Sequence, residues 1–144
     1  MNSDERAVEA AVRRFYDAIN DMSSGRTHET MREAWLHDDR VTTGHPSGDW
    51  AYGWDEVWTT WEIFASFGGE GREGLKVLKL HVRVCGDMAY AAVTVSLAPV
   101  FSGAVLECTN VLLQDNGAWK IIHHHADRSP ELMQALENLV ANGR

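Results

Sequence analysis

Cysteine is scarce in this chain: only Cys85 and Cys108 among 144 residues, with no CxxC spacing between them. That excludes a disulfide framework and a cysteine-ligated zinc site; free, buried thiols in a reducing compartment are expected. Basic charge is also short, with 13 Lys and Arg against 21 Asp and Glu and a formal charge of −8. A chain so acidic, with no basic run, offers no face for nucleic acid or for an anionic membrane. Long apolar runs are missing too. The most apolar stretch, Ala89 to Phe101, is interrupted by Thr94, Ser96 and Pro99 and is too short to span a bilayer. The opening MNSDERAVEA is polar and acidic. No secretory signal is therefore expected, and a cytoplasmic setting is.

Several catalytic signatures are absent as well. No serine sits in a G-x-S-x-G elbow, and neither thiol has an evident activating neighbour. His28 opens HETMR, which is not HExxH. Gly69-Glu-Gly71-Arg-Glu-Gly74 matches GxGxxG in form. It follows a helix and precedes a strand, the reverse of a dinucleotide site, so it reads as a solvated loop. No cofactor and no metal are expected.

What is present is a hairpin that ends in three consecutive histidines. Asn116-Gly117 suits a two-residue turn, because both residues tolerate positive φ. An unbroken register from that turn pairs Leu112 with Ile121 and Asn110 with His123. Alternation then places Asn110, Leu112, Trp119, Ile121, His123 and His125 on one face, with Cys108 opposite His125. The expectation is two imidazoles and a carboxamide on a mostly apolar surface.

The remainder reads as one domain spanning residues 1–144, long enough to bury a core. Ser3 is placed to cap a first helix whose Ala7, Val8, Ala11, Val12, Phe15, Ile19 and Met22 recur at helical spacing. A short helix is expected over 27–36, a strand over 40–45, a turn-rich loop over 45–53 and a Trp-rich helix over 54–67. Strands follow at 75–85, 88–101, 104–114 and 118–126, and Pro130 starts a final helix. Helices first and hairpin-linked strands afterwards indicate α+β, with an antiparallel sheet covered on one face. Leu78, Leu80, Val82, Val84, Ala89, Ala91, Val93, Val95 and Leu97 form the expected apolar side of the first hairpin.

Three local patterns carry a resemblance. They are Phe15-Tyr16-Asp17-Ala18-Ile19-Asn20, the loop from His45-Pro46 to Gly53-Trp54, and Asn110 followed by the run Asn116 to His125. The chain resembles the NTF2-like superfamily, in particular its SnoaL-like and ketosteroid-isomerase-like domains. The last pattern also looks like the calmodulin-kinase association domain, a non-enzymatic member. The resemblance implies helices on a curved sheet around a conical pocket, and a homodimer packed sheet to sheet. It implies small-molecule chemistry or assembly without choosing between them.

The residues themselves suggest proton transfer at a carbonyl-type substrate, in the isomerase, cyclase or dehydratase class. His123 is the expected acid–base group, Asn110 its polar orienter, and Asp49 and His45 possible second groups. Trp50, Tyr52, Trp58, Trp35, His125 and Val95 are the expected contacts to a small apolar or planar molecule. A non-catalytic binding or assembly domain is the competing reading. The spacing of His123 and His125 would also suit a metal.

Overall fold

A computed structural model of the chain describes residues 1–46, 48–67, 74–97, 105–127 and 130–142. The first helix, α1, covers Ser3–Ser23. Its cap is Asn2 and not Ser3. The Glu5 N–H donates to the Asn2 side chain at 2.9 Å, and Glu5 accepts from the Asn2 N–H at 3.3 Å. This reciprocal capping box satisfies two otherwise orphaned donors. Val8, Ala11, Val12, Phe15, Tyr16, Ile19 and Met22 form its buried face.

Helix α2 (Glu29–Ala34) is followed by strand β1 (Thr42–Gly44). The segment expected as a loop contains a strand, β2 (Trp50–Tyr52), which pairs back on β1. Gly53, at φ 81°, makes the turn into α3 (Trp54–Ala65) and donates its N–H to Val41 O at 2.8 Å. Only glycine takes that φ without strain. Strands β3 (Lys76–Cys85), β4 (Met88–Ser96), β5 (Val105–Asp115) and β6 (Ala118–Ala126) follow, then α4 (Pro130–Ala141). Asn116 and Gly117 both have positive φ, as their hairpin turn requires.

The six strands make one curved, unclosed sheet in the order β2-β1-β6-β5-β4-β3. It is mixed, where an antiparallel sheet was expected. The chain leaving α2 is first tied to β6 at Trp35, which bridges to Ile121, and Leu36 N–H donates to Ile121 O at 3.1 Å. It then continues in the same direction as β6, so β1 runs parallel to it, Thr42 beside His123 and Gly44 beside His125.

Two strands each carry one residue too many for their partners. In β3, Val77 pairs with Val95 and Lys79 with Thr94, so Leu78 is extra. Leu78 is 56% exposed, whereas Val77 packs on the core in the place expected for Leu78. In β6, Leu112 pairs with Ile121 but Val111 pairs with His123, so Ile122 is extra. A bulge of this kind reverses the facing of every residue beyond it, counted away from the hairpin turn.

The core lies between the inner face of the sheet and helices α1 and α3. Phe15, Trp35 and Trp61 meet edge to face or tilted there, at ring-centroid distances of 5.6–6.5 Å. Each such ring contributes roughly 2–3 kcal/mol by leaving water. Cys108 is buried and Cys85 exposed, so the expectation of two buried thiols holds for the first alone. Gly69 and Gly71 of the GxGxxG stretch, the end of the expected 88–101 strand and Arg128 lie outside the described residues.

Asn20 ties the end of α1 to the start of β3. Its Nδ2 donates to Leu75 O at 3.0 Å, and its Oδ1 accepts from Leu75 N–H at 2.8 Å. Asn20→Ala removes both bonds and leaves two backbone groups unpaired. The expected loss is about 1–3 kcal/mol in urea unfolding with an unchanged m-value. A midpoint equal to that of wild type would show that water replaces the amide at no cost.

Candidate functional site

The bulge at Ile122 decides which histidine faces inward. Residues after it alternate from a shifted start, so Asn110 pairs with His124 and Cys108 with Ala126. Asn110 is fully buried and His124 is 3% exposed. His123 and His125, the two expected inward, lie on the outer face of the sheet. The expected pairing of Asn110 with His123 is corrected accordingly.

A polar chain runs along the inner face. The His124 Nδ1–H donates to Asn110 Oδ1 at 2.8 Å, and Asn110 Nδ2 donates to the Tyr16 hydroxyl at 2.9 Å. Cys108 lies within hydrogen-bonding reach of that hydroxyl. Burial, the largest influence, raises the Tyr16 phenol well above its ordinary value. It also pushes the Cys108 thiol up to about 12, against a lowering contact from Tyr16. Both therefore keep their protons at neutral pH. For His124 burial acts in the opposite sense, and the neighbouring His45, His123 and His125 add to it, holding the ring well below the usual histidine range.

His45 is brought to this group from the end of β1. Its ring stands edge-on to Trp61 at 4.5 Å and lies 6.3 Å from His124, with Trp61 5.7 Å from His124. Its Nε2 is 2.8 Å from Thr60 Oγ1, whose own proton goes to Val57 O at 2.7 Å. The one hydroxyl proton is thereby committed, so His45 Nε2 is the donor and Nδ1 keeps a lone pair. Burial lowers the His45 pKa to about 4. Two further polar atoms, Thr43 Oγ1 and Trp61 Nε1, are buried nearby with no hydrogen-bond partner. Thr43 stands beside His124 in the β1–β6 register.

The other expected residues are dispersed. Trp50 is 46% exposed and lies over His123 and His125 on the outer face, at 5.4 and 4.8 Å. It is on the opposite side of the sheet from His124, away from the inner residues it was expected to join. Gly44 makes room for this stack, since a Cβ there would lie 2.8 Å from Trp50 and 3.0 Å from His125. His123 Nδ1 is 2.6 Å from Thr42 Oγ1. Its pKa is lowered, by burial first and then by His125. Asp49 and Tyr52 are exposed. Trp58 faces α2, where Arg32 lies 4.3 Å over its ring, and it does not line the His45–His124 group. Trp35 is core, with its indole N–H on Met31 Sδ at 3.4 Å. Val95 is buried on the inner face, as expected of that strand. Among the described residues, no three His, Cys, Asp or Glu side chains gather to hold a metal.

The sequence reading therefore missed His124, Tyr16, Trp61, Thr43 and Thr60. Tyr16 was within reach, because it belongs to the recognised motif on α1. Three adjacent histidines also guarantee that at least one faces inward in either register.

Acid should destabilise this arrangement. In the unfolded chain a histidine takes up its proton near pH 6.5, whereas folded His45 does so only near 4. Between those values the unfolded state binds more protons, so stability is full above about pH 6.5 and falls as pH drops. His45 alone should cost about 2 kcal/mol between pH 7 and pH 5, at 1.36 kcal/mol per unit. Urea midpoints at the two pH values check this, and His45→Gln should reduce the difference. Equal midpoints in the wild type would contradict the assignment of a half-buried, neutral His45.

Comparison with known proteins agrees with this architecture. A family model described as a SnoaL-like domain matches residues 8–127. The F-box protein SKIP8 of Arabidopsis thaliana is 31% identical over 121 residues, covering 84% of this chain and 49% of that protein. The chain thus spans about half the length of the curated relative it matches. A Streptomyces avermitilis structure, described as a candidate dehydratase of the NTF2-like family, superposes with TM-score 0.69 at 23% identity, covering 88% of this chain and 96% of that one. A Thiobacillus denitrificans structure, a candidate calcium/calmodulin-dependent protein kinase type II association domain, gives 0.70 at 27%, covering 84% and 94%. A candidate ketosteroid isomerase from Parabacteroides distasonis gives 0.63 at 17%, covering 87% of each chain. No helix among the described residues is long and apolar enough to cross a membrane. With most of its length matched by the family model and its fold shared with NTF2-like structures, this chain belongs to the SnoaL-like family.

Proposed function

We propose that the domain binds a small, mostly apolar molecule against the inner face of its sheet, and that it transfers a proton at a carbonyl-type centre of that molecule. The reaction class is isomerase, cyclase or dehydratase. The observation that carries this reading is the group of half-buried His45 with buried His124 and Trp61 on the inner face, with Thr43 Oγ1 and Trp61 Nε1 left unpartnered. Purely structural packing has little use for buried donors without acceptors.

His45 is the proposed base. At neutral pH it is unprotonated, and its ring is held from behind by Thr60. A base with a pKa near 4 is not too weak for this work, since ketosteroid isomerase uses an Asp base of about 4.6. Once His45 has taken a proton, the Nε2–H bond to Thr60 stabilises the imidazolium. The chain His124–Asn110–Tyr16 fixes the opposite wall and contributes position more than protons, because its groups stay neutral.

An assembly role is the second reading. It is favoured by the relatives described as an F-box protein and as a kinase association domain, and by the exposed Trp50, Tyr52, Tyr90 and Met88. In that case the outer sheet face would meet a second copy, and the histidines would serve the core.

The two readings separate by mutation. With a carbonyl substrate found by screening, His45→Gln should lower kcat roughly 10²–10⁴-fold, while His123→Asn on the outer face should stay near wild type. Activity in the wild type should be flat from about pH 8 to pH 5 and fall towards pH 4, as His45 is protonated. Loss of activity in His123→Asn with none in His45→Gln would return the chemistry to the outer face. Full activity in both would remove these histidines from the chemistry, and no turnover of any carbonyl compound by the wild type would leave assembly as the account.

A further inference from the structure

We infer that the two imidazoles of the inner group accept hydrogen bonds from the ligand, which must therefore bring a donor of its own. The ligand class is therefore a neutral hydroxyl compound, such as a phenol or an enol, and not a carboxylate or a phosphate. The inference rests on the binding reading above and narrows it.

Each imidazole near Trp61 has one N–H already committed to the protein. That of His124 is given to Asn110 Oδ1, and that of His45 to Thr60 Oγ1. The remaining ring nitrogens, His124 Nε2 and His45 Nδ1, both carry lone pairs. The two ring centroids are 6.3 Å apart, so the two nitrogens belong to one neighbourhood. An anion placed there would meet two lone pairs and, across the whole chain, a formal charge of −8. A hydroxyl would instead donate to an imidazole nitrogen, and its oxygen could accept from the unpartnered Trp61 Nε1–H or Thr43 hydroxyl.

The proton assignment has its own support. Asn110 can present Oδ1 to His124 only if Nδ2 faces Tyr16, and it does, at 2.9 Å. Tyr16 accepts that bond through its hydroxyl oxygen, which has lone pairs to spare. The acceptor character of the His124 ring is thus set from Tyr16 through Asn110.

Two measurements test this on the whole chain. Long-range ¹H–¹⁵N spectra at neutral pH should show His124 as the Nδ1–H tautomer and His45 as the Nε2–H tautomer. The opposite tautomer at either ring would overturn the inference and leave the binding reading standing. The second measurement titrates phenol, anisole and benzoate, three probes of one skeleton, and follows the Trp61 indole N–H signal. Phenol should bind at least roughly tenfold more tightly than anisole, because the ether leaves a buried acceptor unpaired. Benzoate should not saturate, and in His45→Phe the advantage of phenol over anisole should shrink. Benzoate binding as well as phenol, or anisole matching phenol, would overturn the inference. If none of the three saturates, the binding reading fails and the inference falls with it.

Discussion

One extra residue in β6 governs the chemistry of this domain. Ile121 and Ile122 both go to the core side, the first fully buried and the second packed against it. Every residue after them is turned over relative to a regular hairpin. A bulge costs a ladder position and bends the strand. Here the cost is offset by the burial of a second isoleucine and by the bond from Leu36 to Ile121 O, which ties the α2–β1 connection to the bulge. From that single irregularity follow the inward turn of His124, the outward turn of His123 and His125, and the stack of Trp50 above them.

The inner group shows how burial sets chemistry without any formal charge. Among the described residues, no carboxylate lies on the inner face of β4, β5 or β6. Tyr16, Cys108, His45 and His124 are all pushed towards their neutral forms, the acids upward and the imidazoles downward. Direction is then supplied by hydrogen bonds alone. A chain of neutral donors ending on a lone pair gives the core a polarity that neither net charge nor composition reveals. The outer face is built on different terms, from exposed aromatics and imidazoles that pack across a glycine too crowded to carry a side chain.

Most of the architecture was legible in the sequence because its signals are local. Helical spacing in α1, the Asn116-Gly117 turn and the alternation of β4 each depend on a few adjacent residues, and each gives the right element. The same alternation placed Leu80, Val82, Ala89, Ala91, Val93 and Val95 correctly. It failed at Leu78 and at His123, and for one reason: periodicity assumes an unbroken strand, and a bulge inserts a residue without a signature of its own. The parallel β1–β6 pairing was equally invisible. It depends on Trp35 docking beside Ile121, two residues 86 positions apart in the chain. His45 and Asn110 were identified as chemically meaningful, but their true partners, Thr60 and His124, become apparent only once the sheet is assembled.

The whole inner group depends on which histidine shares the core with Phe15, Tyr16 and Trp61. Proton–proton NOEs from the three imidazole rings in a His-assigned sample measure this most directly. His124 should show contacts to Phe15 and Trp61, whose rings lie 4.9 and 5.7 Å away by centroid, while His123 and His125 show contacts to Trp50. Contacts from His123 or His125 to Phe15, with His124 facing Trp50, would mean that β6 pairs without the bulge and would contradict the site described above.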